Sequence, residues 1–162
     1  MKPSGATAEL VRAVVGTAVV LTLVSGCGSA GTKASGEEQD KDFETVADTT
    51  TCLANARPVS RRLPAGFPVG FPFPSGSVVY NAEDRGNDGV VVSAITSSPI
   101  KDVLAALNGP AQQAGFKVTQ GETEEHDAEA NWTGNGFRGR WAIKESASCK
   151  GEVSIQVLAA RS

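Results

Sequence analysis

The chain has 162 residues, of which 40% are hydrophobic and 20% charged, with a formal net charge of −3. That length suits one modest globular domain and leaves no room for a large multi-domain enzyme. Nucleic acid is excluded as a partner on charge, because such binding needs clustered Lys and Arg to displace counterions.

Residues 1–26 have the three-part pattern of an export signal. Met1–Arg12 is polar and net positive, with Lys2 and Arg12 against Glu9. Ala13–Val24 is an apolar run. As a helix it would extend about 18 Å at ~1.5 Å per residue, short of the ~30 Å hydrocarbon core, so a permanent transmembrane helix is not expected. Leu23-Val24-Ser25-Gly26-Cys27 follows directly. It resembles the bacterial lipobox, in which small residues precede a cysteine that becomes the new N-terminus. The resemblance implies a diacylglycerol thioether on Cys27 and cleavage after Gly26, with Leu23, Val24, Ser25 and Gly26 read by the peptidase. Each acyl CH₂ buried in a bilayer contributes about 0.8 kcal/mol, so two or more chains anchor stably. The expected location is the extracytoplasmic side of the cell membrane.

With Cys27 acylated, Cys52 and Cys149 remain as an even pair in a disulfide-permissive compartment. No CxxC spacing marks either as a redox thiol. A bridge between them is expected to tie the two ends of the folded region together, which places the domain at 52–162. Residues 27–51 hold Gly, Ser, Thr, Ala and charges with hardly any apolar period. Such a segment cannot offset its ordering entropy and reads as a flexible tether of roughly 25–30 Å reach. Phe43 and Val46 suggest at most one short helical turn within it.

Leu63–Pro74 interleaves four prolines with Phe67, Phe71 and Phe73. Proline at this density rules out a helix or a central strand and favours extended backbone. The segment is either an exposed apolar ribbon for a partner or a wrapping strap whose rings pack on the sheet. Ser77–Asn81 and Gly89–Thr96 then read as a hairpin around the polar turn AEDRGND. Ser98-Pro99 predicts a helix start, with Ser98 as cap, Pro99 at the first helical position and Asp102 in the first turn. Ile100, Val103, Leu104, Leu107, Ala111 and Ala114 form the apolar stripe. Gly109-Pro110 predicts a kink or a break into two short helices, and Gly115 a left-handed end.

Phe116–Gln120 reads as a strand. Asn131–Lys144 reads as a hairpin around Asn135-Gly136, with Phe137, Gly139, Trp141 and Ile143 on one face and Arg138, Arg140 and Lys144 on the other. Glu152–Leu158 closes the pattern with Val153, Ile155 and Val157 inward. The expected fold is α+β, a two-layer antiparallel sheet with one kinked helix packed across it. From about Pro72 to Leu158 the chain resembles a loose class of small actinobacterial envelope lipoproteins. The likeness lies in the proline entry before Ser77, the strand pair, the Ser-Pro helix start, Ala114-Gly115-Phe116 and the terminal hairpin. It implies fold and location and carries over no catalytic residue.

Chemistry is sparse. His126 is the only histidine, within Glu122–Glu129 (ETEEHDAE), which reads as a solvated acidic loop. It lacks the His or Cys spacing that sets metal geometry. No GxSxG elbow and no phosphate-binding GxxxxGK[ST] occurs. Asn131-Trp132-Thr133 matches a glycosylation sequon and reads as strand. Arg138, Arg140 and Lys144, extended by Ser154 and Gln156, form either a basic strip for anionic head groups or polymer, or a solvated strand face. Without cofactor or metal, the leading expectation is a non-enzymatic, lipid-anchored module that binds an envelope protein or lipid through its sheet face or the Phe67–Phe73 ribbon. The alternatives are a carrier holding an apolar or lipid ligand between helix and sheet, and a small hydrolase using His126.

Overall fold

The structure is a computed structural model that describes residues 50–60 and 62–162. Cys27, the lipobox positions Leu23–Gly26, the signal segment, and Phe43 and Val46 lie outside the described residues. Six strands form one antiparallel sheet: β1 (Val78–Asp84), β2 (Val90–Thr96), β3 (Lys117–Thr123), β4 (Asp127–Gly134), β5 (Phe137–Glu145) and β6 (Val153–Arg161). Their spatial order is β1-β2-β6-β5-β4-β3. Two helical pieces, α1 (Ile100–Asn108) and α2 (Pro110–Gln113), connect β2 to β3. They cross from one side of the sheet to its far edge, and the β3–β6 meander then returns to pair β6 with β2. The fold is α+β, one bent helix on an antiparallel sheet.

Alternation decides which face meets the helix. Val90, Val92 and Ala94 of β2, Val153, Ile155, Val157 and Ala159 of β6, Phe137, Trp141 and Ile143 of β5, and Ala128, Ala130 and Trp132 of β4 are all buried in one core. Register brings Trp141 opposite Val157 and Ile143 opposite Ile155. The helix contributes Val103, Leu107 and Ala111, at most 3% exposed, with Ile100 and Leu104 half-buried at the margin. Each such Val or Leu contributes roughly 1.5–3 kcal/mol when withdrawn from water. Ala114, expected on this stripe, is instead exposed, because the helix has ended before it.

Gly109 and Pro110 do break the helix. Proline has no N–H to continue the ladder and starts α2 as its first residue, while the Gly109 N–H still bonds the Ala105 carbonyl at 2.8 Å. Gly115 ends α2 at φ 89°, and the Phe116 N–H reaches back to the Ala111 carbonyl at 2.8 Å, the six-to-one bond of a Schellman end. The start of α1 differs from expectation. Pro99 is the N-cap without a side-chain capping bond, and Ser98 is engaged instead with the Thr96 hydroxyl.

Strands run longer than their apolar cores suggest. β1 extends through Ala82-Glu83-Asp84, which a purely local reading assigns to the turn, because its backbone partners on β2 continue to Val90. Glu122, Thr123, Asp127 and Glu129 likewise belong to β3 and β4, which confines the acidic turn to Glu124–His126. Asn135 and Gly136, at φ 53° and 79°, form the β4–β5 turn, and Asn135 Nδ2 donates to the Ala114 carbonyl at 2.9 Å, pinning the hairpin to the end of the helix.

Candidate functional site

A cysteine bridge closes the domain. Cys52 and Cys149 form a disulfide across 97 positions, with Cα atoms 5.5 Å apart. It joins the segment before the sheet to the β5–β6 connection. Glu152 Oε2 adds a second tie by accepting the Leu53 N–H at 2.7 Å. Cys52, Cys149 and Glu152 cluster closely, but both sulfurs are committed to each other and so offer no thiolate to a metal.

The proline-rich strap is a core element. Phe67 and Phe71 are 3% and 8% exposed, which corrects their reading as an exposed docking ribbon. Phe71 sits 5.2 Å from Phe116 and 5.5 Å from Trp132, centroid to centroid, and Phe73 stacks on Phe67 at 6.1 Å. Phe73 is half-buried at the edge of the same group. The physical reason is area: the strap's rings cap the open end of the layer between helix and sheet, where Trp132 would otherwise meet water. The large apolar side chain that the strap leaves in solvent is Val69, 98% exposed.

On the far face of the sheet the expected basic strip is broken up. Arg138 and Lys144 are exposed, whereas Arg140 is half-buried and ion-paired with Glu129 of the adjoining strand. Ser154 and Gln156, expected to extend the strip, are buried. Ser154 donates to the Lys144 carbonyl, while both amide atoms of Gln156 are buried without a partner. Val91, Ser93 and Ile95 of β2 are buried beside them, so the middle of this face is uncharged.

His126 is open to solvent. Its Nδ1 lies 2.8 Å from Glu145 Oε2, a bond that raises the imidazole pKa above 6.5, with Glu125 and Asp127 adding in the same direction. The side chain is 67% exposed on the β3–β4 turn rather than set in a cleft. That placement offers a proton-binding imidazole on the surface but no enclosed site for a substrate beside it.

One groove went unanticipated. It has a volume of about 420 Å³ and is lined by Arg57, Pro58, Val59, Ser60, Arg62, Leu63, Pro64, Tyr80 and Ala82. Its outer wall is held to the sheet by the Val59 N–H, which bonds the Val79 carbonyl at 2.9 Å. The β1–β2 register slips between Val79 and Asn81, which leaves Tyr80 at the bulge and in the groove wall. The sequence did carry a signal for it: Thr49–Ala82 contains three arginines and no acid, in a chain of net negative charge. The space between helix and sheet, by contrast, is occupied by Val103, Leu107 and Trp132, each at most 2% exposed.

Among the described residues no helix is long and apolar enough to cross a membrane. Comparison with protein-family models, curated proteins and solved structures finds no match to this chain.

Proposed function

We propose that the protein is a non-enzymatic, lipid-anchored binding module on the extracytoplasmic face of the cell membrane. The observation that carries this reading is the Cys52–Cys149 bridge. Disulfides persist in exported proteins and are rare in reducing compartments, so a bridge across the whole domain supports export. It also accounts for two of the three cysteines. The remaining one, Cys27, follows a positive segment, an apolar run and small residues, in the lipobox arrangement. Acylation there holds a domain to the bilayer through the tether while leaving its surfaces free to meet an envelope protein or lipid.

The binding reading is preferred to catalysis because the sole histidine is exposed and held by a carboxylate. It is preferred to a carrier with a ligand between helix and sheet because that layer is filled by side chains.

Metabolic labelling with an alkyne fatty acid tests the anchor. The wild-type chain should take up label and fractionate with membranes, and Cys27→Ser should lose both properties. An unlabelled wild-type protein in the soluble fraction would overturn the reading. Crosslinking in cells should then capture a reproducible envelope partner in the wild type.

A further inference from the structure

We infer that the groove between residues 57–60 and 62–64 and strand β1 is a binding site for a phosphate ester, received by the guanidinium groups of Arg57 and Arg62. The inference is independent of the lipid anchor.

Three observations support it. Both arginines line one groove of about 420 Å³, and no carboxylate lines it with them. Among the described residues neither guanidinium has an acid within ion-pair distance. Glu83, the first acid after the acid-free stretch, is already paired with Arg85 at 3.2 Å. The remaining walls are Pro58, Val59, Leu63, Pro64, Tyr80 and Ala82, with Ser60 adding a hydroxyl.

Arg57 and Arg62 are both exposed at the groove, so their guanidiniums are free to turn toward an anion held in it. A guanidinium presents a rigid fork of donors that matches phosphate or carboxylate oxygens. Two forks and a hydroxyl favour phosphate over carboxylate. A phosphate spreads its charge over several tetrahedral oxygens and can serve both arginines, whereas a carboxylate has two coplanar oxygens and is satisfied by one. The apolar walls suit the carbon side of an ester. Pro58 and Pro64 and the Val59–Val79 bond restrain the backbone of the groove wall, so little backbone entropy remains to be lost on binding. Such an ester can be the headgroup of a phospholipid or a soluble phosphate.

The chain provides its own reporter. Tyr80 is its only tyrosine and stands in the groove wall, so biosynthetic 3-fluorotyrosine yields a single ¹⁹F resonance at the site. The experiment uses the full chain with Cys27→Ser, so that no acyl chain competes, titrated with dihexanoyl phosphatidic acid, inorganic phosphate and hexanoate. Phosphatidic acid should shift the resonance saturably, and more weakly as salt rises. Arg62→Gln should weaken binding roughly tenfold, the worth of one charge-assisted hydrogen bond. Arg57→Ala should do likewise, and Arg138→Ala, on the far face of the sheet, should change nothing. Arg57 also donates weakly to the Ala54 and Ala56 carbonyls, whereas Arg62 makes no described hydrogen bond, so the Arg62 variant reads binding without disturbing the turn. Inorganic phosphate binding as tightly as phosphatidic acid would support the site and name a soluble ligand. No saturable shift, hexanoate binding as well as phosphatidic acid, or Arg62→Gln binding like wild type would each overturn the inference.

Discussion

Gln156 stands on β6 in the middle of the sheet, 4% exposed, with neither its carbonyl oxygen nor its amide nitrogen bonded. A buried polar group without a partner costs about 1–3 kcal/mol. Methionine has the same length and no such requirement, so Gln156→Met should stabilise the domain by about 1–2 kcal/mol, read as a rise in the urea midpoint at unchanged slope. A loss of stability would show that the amide has a partner in solution. His126 makes a complementary case at the surface. Its folded pKa is raised by the Glu145 bond, so the protonated form is favoured in the native state. The resulting stabilisation is fully present below the unfolded value near 6.5 and disappears as pH rises through the higher folded value. NMR titration of the ring should therefore give a midpoint above 6.5 in the wild type and closer to 6.5 in Glu145→Gln.

At the scale of elements, β4 and β5 are fitted by one missing side chain. Gly139 lies opposite Trp132, and a Cβ at Gly139 would overlap the Leu158 carbonyl oxygen of β6 and stand 2.6 Å from the indole ring. The indole lies over the space that glycine leaves open. Gly139→Ala should strain the β5–β6 backbone at Leu158 and push the ring away from Phe71 and Phe116, destabilising the domain by about 1–3 kcal/mol, the range of overpacked cores. A Tm equal to that of the wild type would contradict this packing. The hairpin itself was legible locally, since Asn135-Gly136 accepts the positive φ that its turn requires. Its partner Trp132 was not, because the Asn-Trp-Thr stretch says nothing about which cross-strand residue must be small. The broken helix was equally legible, proline being unable to donate at a fixed place in the chain. The failed Ser98 cap was not, because Thr96, at the end of β2, competes for the same serine.

For the molecule as a whole, the disulfide is the covalent closure, beside a Leu53–Glu152 hydrogen bond of similar span. Closing a loop of 97 positions restricts the unfolded chain by about 4–5 kcal/mol in the loop-entropy model. Cys52→Ala/Cys149→Ala should therefore lower the unfolding free energy by up to that amount in chemical denaturation, and reduction of the wild type should reproduce the loss. A change below about 1 kcal/mol would mean that the reduced chain is held together by other long-range contacts. The Leu53–Glu152 bond runs beside the bridge and should retain part of the closure. The helical connection from β2 to β3 spans the same body from within. Its buried Val103, Leu107 and Ala111 hold the middle of the sheet while the strap of Phe67 and Phe71 covers the end.

Some properties were decided by residues acting on their own backbone. Proline at 110, glycine at 115, Asn-Gly at 135 and the alternation of β5 and β6 specify element type because their effects reach no further than a turn or a pleat. The cysteine pairing was also readable, since setting Cys27 aside leaves a single pair. Other properties belong to surfaces that only the packed chain creates. The low aromatic content already favoured a strap over a ribbon for the three phenylalanines, but its seat on Trp132 and Phe116 belongs to the packed chain. Arg138, Arg140 and Lys144 alternate alike in sequence, yet Glu129 on the next strand removes one from the strip. The groove of Arg57 and Arg62 exists because a segment before the sheet lies along the bulged edge of β1, a long-range apposition that no local pattern encodes.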